Sequence, residues 1–287
     1  MISVIFPVKN EGPNIQNTVD SFFENTSNSD VEYIVVDDAS EDHCCDFIEG
    51  NSRYAAVKLV RSPGLGSAKA RNFGAQLANG DVLVFADAHI TVPPTWVTGL
   101  LPCLDRYDCI SPAIKTMGSE AVGYGITVNK SFDMCWNGKL SEEPFSVAMN
   151  PGGFLMIKRD VFYDIDEWQK KFVVWGCEDT EISIRLQLFG YRLAIVPSVV
   201  IEHLFRTKHP YPVTLEVANY NQLFMAYLHF DFDRLAKIRS KIQSQPYSLN
   251  KIEGQVLANG AFEMRQQYFA RRKHDDDWYF SEYNIEF

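Results

Sequence analysis

Asp87 and His89 lie two residues apart, directly after an apolar run at residues 82–85. A carboxylate and an imidazole at this spacing can face one shared ion. The pair suits Mn²⁺ or a similar divalent metal that bridges phosphate oxygens. A solvated turn can have the same composition, but the position of the motif at the end of a predicted strand favours the metal site.

Another histidine lies far along the chain, at the end of the last strand-like run. The neutral imidazole of His203 could complete the metal site, and Arg206 could neutralise a phosphate. A structural role is the alternative for a single histidine of this kind. His209 competes with His203 for the same assignment.

Two adjacent carboxylates, Glu178 and Asp179, follow Trp175 at the predicted start of a helix. The helix macrodipole stabilises ionised carboxylates at this end. An ionised carboxylate in a cleft can act as a general base toward an acceptor hydroxyl. Simple helix capping is the alternative, with Glu181 and Arg185 forming a surface pair one turn apart.

Two further groups of residues could contact a nucleotide. Asp37 and Asp38 follow an apolar run, where a carboxylate can accept from a base N–H or a ribose hydroxyl; a solvated turn or a helix cap is the alternative. Gly66 opens a predicted helix whose N-terminus favours anions, and Lys69 and Arg71 add positive charge. This segment lacks the Walker and Rossmann glycine spacings, so an ordinary surface helix is its alternative.

The elements that hold these residues alternate between strand and helix signals over the first hundred residues. Apolar runs predict strands, and helical spacing predicts helices after Pro13 and at 66–78; the strands are expected at 4–6, 33–36, 57–60 and 82–85. This order implies an α/β fold with a mostly parallel sheet covered on both faces. Ligands bind outside the carboxyl ends of such strands, where the polar residues at 9–11, 37–38 and 87–89 lie.

The second half of the chain gives a weaker pattern. We expect loops with short strands at 108–146 and helices from about residue 214 onward. Between them we predict a strand at 154–157, a helix at 178–189, and strands at 193–196 and 199–201. The aromatic tail at 275–287 either packs as core or covers an acceptor groove.

Composition restricts the class of protein. The chain has 287 residues, of which 46% are hydrophobic, so it can bury a sizeable core. Its net charge of −10 argues against a binder of nucleic acid or anionic membranes. Six cysteines without a two-residue spacing predict free thiols in a reducing compartment. With no signal peptide or membrane-spanning run in the sequence, we expect a cytoplasmic protein without an integral membrane segment.

Five runs, in order along the chain, resemble the large family 2 of glycosyltransferases, which have the GT-A fold. The run at 35–40 is similar to the segment that contacts uracil and ribose in that family, and 85–89 takes the place of its Asp-x-Asp metal motif. The run at 203–206 is similar to a His-x-x-Arg element that supplies a metal ligand and a phosphate contact. The other two matching runs are 6–11 and 70–74.

A second resemblance, to the polypeptide N-acetylgalactosaminyltransferases, is found at residues 87–89, 152–154, 175–185 and 203–206. In that family the Asp-x-His motif and the later histidine hold manganese, and the products retain the anomeric configuration. The chain departs from that family at Asp179, where the family has asparagine. Inverting family 2 enzymes use a carboxylate at this place as the base, so Asp179 favours inversion.

These resemblances imply a metal-dependent glycosyltransferase that moves a sugar from a nucleotide-sugar, with a UDP-sugar favoured, to an acceptor hydroxyl. The implied metal ligands are Asp87, His89 and His203, with Mn²⁺ favoured and Mg²⁺ as the alternative. Asp179 would take the acceptor proton, with Glu178 beside it as a second catalytic carboxylate. The implied contacts to the nucleotide-sugar are Pro7, Val8, Lys9, Glu11, Asp37, Asp38, Gly66, Arg71, Asp87, Ala88, Gly153, Trp175 and Arg206.

The resemblances also imply a domain organisation. We expect a GT-A catalytic domain at 1–212, with a nucleotide-binding half at about 1–107 and an acceptor-side half at about 108–212. A helical extension at 213–287 follows. The acceptor stays open between a glycan, a lipid-linked glycan and a peptide.

Three alternative functions remain at this point. One is a retaining N-acetylgalactosaminyltransferase-like enzyme that acts on a peptide. Another is a nucleotidyltransferase of related fold, which would need a basic, glycine-rich loop after the first strand; residues 7–11 do not form such a loop. The third is a non-catalytic nucleotide-sugar-binding protein.

Overall fold

The computed structural model describes residues 1–26, 30–246 and 248–287, and a mixed β-sheet forms its centre. Apolar runs form the central strands because both faces of the sheet are covered. The strands are β1 (Ile2–Val8), β2 (Val31–Asp38), β3 (Val57–Ser62), β4 (Val82–Ala86), β5 (Ile90–Thr91), β6 (Cys109–Thr116), β7 (Val122–Gly123), β8 (Ile126–Val128), β9 (Met134–Trp136), β10 (Phe154–Lys158) and β11 (Leu193–His203).

The strand order places the ends of several strands at one edge of the sheet. The order is β3-β2-β1-β4-β10-β6-β11-β5, with β7 beside β6, while β8 and β9 form a separate hairpin. β1, β2, β3 and β4 are parallel, and β10 runs antiparallel to β4 with Phe154 opposite Ala86. The carboxyl ends of β1, β2 and β4 therefore meet the start of β10 at the same edge.

Helices cover both faces of this sheet. Helix α1 (Asn14–Asn25) packs on the face that contains Val4 and Phe6, while α2 (Ser67–Gln76) and α5 (Glu178–Leu188) pack on the face that contains Ile5 and Phe85. The α-helices in the described part of the chain are α1 (Asn14–Asn25), α2 (Ser67–Gln76), α3 (Trp96–Leu100), α4 (Arg159–Asp164), α5 (Glu178–Leu188), α6 (Leu215–His229), α7 (Phe232–Gln243), α8 (Leu249–Ala258), α9 (Ala261–Arg271) and α10 (Asp276–Glu282).

The predicted α/β fold with a helical C-terminal region is confirmed, with differences in the second half. The segment at 108–146, expected as loops with short strands, contains β6, a buried eight-residue strand of the main sheet. Ser111 and Pro112 interrupt its apolar run, which conceals the strand in the sequence. The two strands expected at 193–201 are one strand, β11, with an irregularity between Val196 and Val200.

The aromatic tail is part of the core. Tyr279 and Phe280 are buried in the same hydrophobic cluster as Phe85 of the sheet, and Phe287 packs against that cluster. The core role of the tail is therefore confirmed for these residues. All six cysteines are free thiols. Among the described helices, none combines the length and apolar character that a membrane crossing requires.

Candidate active site

A cleft of about 860 Å³ opens at the carboxyl edge of β1, β2 and β4. Such a volume is typical of small-molecule sites. Of the predicted site residues, Asp37 does not line the cleft: its Oδ1 accepts from the Ser40 backbone N–H, and Arg61 lies 3.5 Å from Oδ2. The predicted residues that do line it are Pro7, Val8, Lys9, Glu11, Asp38, Gly66, Arg71, Asp87, Ala88, His89, Gly153, Trp175, Glu178, Asp179, His203 and Arg206.

Asp87, His89 and His203 come together although 116 residues separate the first from the last. One ligand atom from each side chain lies within 4.8 Å of the other two. The sheet causes this approach because β5, directly after His89, pairs with β11 so that Ile90 is opposite His203. Two imidazoles and one carboxylate form a donor set that suits Mn²⁺ and similar divalent metals.

Glu11 at the end of β1 fixes the orientation of His89. His89 Nδ1 lies 3.1 Å from Glu11 Oε2, so the ring can donate from Nδ1 and keep Nε2 free as a metal ligand. Arg206 donates to both oxygens of the same carboxylate. Burial would raise the pKa of Glu11, but His89 and Arg206 hold it below its usual range. The site residues thus fit a metal ion, with a carboxylate supporting one ligand.

His203 depends on a glycine for its position. A Cβ at Gly153 would lie 2.9 Å from His203 Cδ2, closer than side-chain atoms pack. The Gly153 carbonyl also accepts from the Asp87 backbone N–H at 2.9 Å, which connects β10 to the metal motif. Gly153 therefore lets Asp87 and His203 approach each other.

Arg71 on α2 connects the helix to the metal motif. Its Nη2 donates to Asp87 Oδ1 at 2.8 Å, and its guanidinium lies over the ring of Trp168. Burial alone would raise the pKa of Asp87, but the His203 hydrogen bond and the Arg71 charge hold it well below its usual range. A lowered pKa favours the carboxylate form of Asp87, which is the form that binds metal ions.

The first turn of α5 presents both predicted carboxylates to the cleft. Asp179 Oδ2 accepts from the Gly152 N–H at 3.2 Å, and its Oδ1 accepts from the Thr180 N–H at 2.8 Å. Glu178 accepts from the Gly176 N–H at 2.8 Å. Burial raises the pKa of both carboxyl groups. Asp179 remains partly exposed in the cleft, whereas Glu178 is buried.

Asp38 shapes the loop that precedes α2. Its Oδ1 accepts from Ser62 Oγ at 2.5 Å and from the Leu65 N–H at 2.6 Å, and its Oδ2 accepts from the Gly66 N–H at 2.8 Å. Lys9 Nζ donates to the Asp38 carbonyl at 2.8 Å. The carboxylate, predicted as a nucleoside ligand, is engaged in holding this turn.

Several residues that line the cleft were not predicted from the sequence, among them Met134, Trp136 and Tyr211. Met134 and Trp136 lie on β9, inside the segment expected as loops with short strands. Trp136 packs edge-on against Phe205, which follows the predicted metal ligand His203. Exposed tryptophans often belong to binding surfaces. Nothing in the sequence at 134–136, however, indicates which surface Trp136 joins.

Two family models match the chain. The model described as Glycosyl transferase family 2 matches residues 3–166, more than half of the chain. The chain belongs to glycosyl transferase family 2. A second model, described as the N-terminal domain of galactosyltransferase, matches residues 140–210, which include Glu178 and Asp179. The expectation of a glycosyltransferase is thereby confirmed at the level of the family.

Two curated relatives show the second resemblance. Human polypeptide N-acetylgalactosaminyltransferase 6 is 28% identical over 275 residues, which cover 86% of this chain and 43% of the relative. Polypeptide N-acetylgalactosaminyltransferase 8 of Drosophila melanogaster is 33% identical over 195 residues, which cover 61% of this chain and 32% of the relative. This family 2 chain therefore spans less than half the length of both relatives.

Solved structures support the same fold. The crystal structure of GalNAc-T7 with UDP, GalNAc and Mn²⁺ superposes with a TM-score of 0.79 at 22% identity, covering 98% of this chain and 56% of that one. Staphylococcus aureus TarS in complex with UDP-GlcNAc has a TM-score of 0.60 at 16% identity, covering 98% and 75%. At these identities the likeness establishes the GT-A type of fold for this family 2 chain.

Proposed function

We propose that this chain is a metal-dependent glycosyltransferase that moves a sugar from a UDP-sugar to an acceptor hydroxyl. The main support is the cluster of Asp87, His89 and His203 at the sheet edge, with Arg71 and Arg206 beside it. Three convergent metal ligands and two guanidinium groups in one cleft suit the diphosphate of a nucleotide-sugar. A protein that only binds the nucleotide-sugar would not need the further carboxylates on α5.

The metal site has a defined role in this proposal. Asp87, His89 and His203 would hold the ion, with Mn²⁺ favoured and Mg²⁺ as the alternative. When bound, the ion offsets the negative charge that develops on the departing diphosphate. Arg71 and Arg206 add fixed positive charge at the same edge and need no reorganisation, since Asp87 and Glu11 already hold them.

The nucleoside is assigned to the half of the cleft between β1 and the turn before α2. Pro7, Val8 and Lys9 line that half together with Asp38 and Gly66. Uridine is favoured because the GalNAc-T7 structure is described with UDP, GalNAc and Mn²⁺, and TarS with UDP-GlcNAc. We also propose the domain division expected from the sequence: a nucleotide-binding half at about 1–107, an acceptor-side half at about 108–212, and a helical extension at 213–287.

Asp179 is our proposed general base, with Glu178 as the second carboxylate of the pair. Asp179 is partly exposed in the cleft, and two backbone N–H groups orient it. A carboxylate whose pKa burial has raised is a stronger base toward an acceptor hydroxyl than an ordinary aspartate. Direct attack by that hydroxyl on the anomeric carbon, as the diphosphate leaves, inverts the configuration.

A second candidate function is transfer of N-acetylgalactosamine to a peptide with retention. The curated relatives named polypeptide N-acetylgalactosaminyltransferases favour it, and so does the GalNAc-T7 structure. The two candidates differ in the product. Proton NMR of the transferred sugar, through the coupling of its anomeric proton, gives inversion for our first proposal and retention for the second.

We propose the cytoplasmic location that the cysteine spacing led us to expect. Cys44 and Cys45 are adjacent in sequence, and their sulfur atoms lie 3.9 Å apart, too far for a disulfide bond. Free thiols at this density suit a reducing compartment. Redox-state labelling of the thiols in the native source tests this location, and disulfide-bonded cysteines would contradict it.

The experiment that tests the proposed function is a screen of nucleotide-sugars with Mn²⁺. UDP-GalNAc, UDP-GlcNAc, UDP-Gal, UDP-Glc and GDP-mannose are incubated with the protein, and released UDP or GDP is measured. We expect UDP release from at least one UDP-sugar and none from the Asp87→Asn variant. Binding of UDP-sugars without release would instead identify a non-catalytic binding protein.

A further inference from the structure

The loop at 173–177 lines the cleft and has an unusual backbone conformation. Val174, Gly176 and Cys177 have φ values of 53°, 110° and 73°. Positive φ is uncommon for residues other than glycine, and for a β-branched valine it is a strained conformation. Such backbone persists only where the surroundings hold it, so the groups that contact this loop determine its shape.

The loop is placed to affect both substrates. It contains Trp175, which lines the cleft, and it leads directly into Glu178 and Asp179. The Val174 carbonyl accepts from the Ser67 N–H at 2.8 Å, at the start of α2. A movement of the loop would therefore shift the proposed base and the helix that carries Arg71.

One side chain from the C-terminal extension holds this loop. Asn221 on α6 is fully buried. Its Oδ1 accepts from the Val173 N–H at 3.0 Å, and its Nδ2 lies 3.0 Å from the Val173 carbonyl, 3.4 Å from the Trp175 carbonyl and 2.9 Å from the Gly176 carbonyl. One N–H and three carbonyls determine the orientation of the amide, because only Nδ2 can donate to carbonyls.

We propose that Asn221 is a positioning residue for the transfer reaction, and that the C-terminal extension thereby controls the geometry of the active site. The side-chain amide of Asn221 takes no part in the chemistry, since its hydrogen bonds reach only backbone atoms of the loop. It acts by holding the strained loop that leads into α5 and therefore to Asp179. The catalytic part of this inference rests on the proposed function; the structural part does not.

Asn219 provides a matched control two residues away. It lies on the same helix and is also buried, but its Nδ2 donates to Gln245 Oε1 at 2.7 Å, within the extension. Asn219→Ala and Asn221→Ala each remove one buried amide from α6. Asn221→Asp keeps the size and the acceptor for Val173 N–H but places an oxygen against the three carbonyls.

The test combines kinetics with hydrogen exchange. For Asn221→Ala and Asn221→Asp we expect kcat for sugar transfer to fall at least about tenfold, with the dissociation constant for UDP and Mn²⁺ changed less than about threefold. We also expect faster amide exchange in peptides covering 173–177. Asn219→Ala should leave kcat and amide exchange at 173–177 near wild-type values, even if it lowers Tm as much as Asn221→Ala does.

The outcomes separate this inference from the proposed function. Unchanged exchange at 173–177 in both Asn221 variants, or equal losses of kcat in Asn219→Ala and Asn221→Ala, would overturn it. A fall in UDP affinity that accounts for the whole loss of rate would overturn it as well. If the wild-type protein turned over no nucleotide-sugar, the proposed function would fail, while the exchange measurement would still decide whether Asn221 holds the loop.

Discussion

Among the carboxylates in the first turn of α5, only Asp179 combines a raised pKa with partial exposure in the cleft. Replacement by asparagine keeps the side-chain size and one oxygen acceptor but removes the basic group. We expect Asp179→Asn to lower kcat for transfer by about 10²- to 10⁴-fold. UDP binding, measured by calorimetry with Mn²⁺, should change little; an Asp179→Asn enzyme with wild-type kcat would remove Asp179 from the mechanism.

The same group gives a prediction for pH. A base must be ionised, and burial raises the pKa of Asp179 above the ordinary value of 3.8. The ionised fraction therefore falls as pH falls through this raised pKa, and the rate of transfer should fall with it. The profile is measured at saturating UDP-sugar and Mn²⁺ at each pH, which separates proton transfer from binding. An acidic limb centred at or below 3.8 would contradict this assignment.

Gly153 offers a second test at the scale of one residue. A methyl group at this position would collide with the His203 ring, so the ring would have to shift from its place beside Asp87. We expect Gly153→Ala to weaken Mn²⁺ binding by about 10- to 100-fold, the range found when groups that orient metal ligands are changed. A methyl group at Gly138 would meet open space, so Gly138→Ala serves as the control. Equal Mn²⁺ affinity in the two variants would show that His203 is not a ligand.

Helix α5 joins the site to the core of the protein. Its first turn carries the cleft carboxylates and also Glu181, which pairs with Arg185 one turn further along. Both side chains are fully buried, and Glu181 Oε2 lies 2.8 Å from Arg185 Nη2. The surface pair offered as an alternative for these two residues is therefore wrong. Glu181 also contacts His229 of α6 at 2.8 Å, and Arg185 Nη1 contacts Tyr268 of α9 at 3.1 Å.

Breaking this buried pair should be costly. Arg185→Met leaves Glu181 buried without its guanidinium partner, and we expect unfolding free energy to fall by about 3–5 kcal/mol. Arg271, whose ion pair with Asp166 lies at the surface with side-chain exposures of 36% and 51%, is the control, and Arg271→Met should cost less than about 1 kcal/mol. Urea unfolding measures both, and similar losses in the two variants would contradict the role of the buried network.

Some features of these elements could be predicted from the sequence and others could not, for physical reasons. The strands β2 and β4 contain continuous apolar runs, and the polar residues at their carboxyl ends, Asp38 and Asp87, indicate a site. Asn221 gave no signal because its partners lie 45–48 residues away, and a mid-helix asparagine has the same appearance in sequence whether buried or exposed. The burial of Arg185 is a tertiary effect that i,i+4 spacing does not reveal.

At the scale of the whole molecule, the extension and the sheet share one hydrophobic cluster. It contains Phe85 of the sheet, Ile182 of α5, Phe224 of α6 and Tyr279 of α10. We expect one cooperative unfolding transition, with equal calorimetric and van't Hoff enthalpies. Two resolved calorimetric transitions would contradict this and would favour an independently folding unit at 213–287.

The central claim is that Asp87, His89 and His203 hold a metal that transfer requires. Its most direct test is UDP release from the preferred UDP-sugar before and after treatment with EDTA. We expect EDTA to abolish release and Mn²⁺ to restore it in the wild-type protein, with no restoration at the same Mn²⁺ concentration in His203→Ala. Release that continues undiminished in EDTA would contradict the metal site and the reaction proposed for it.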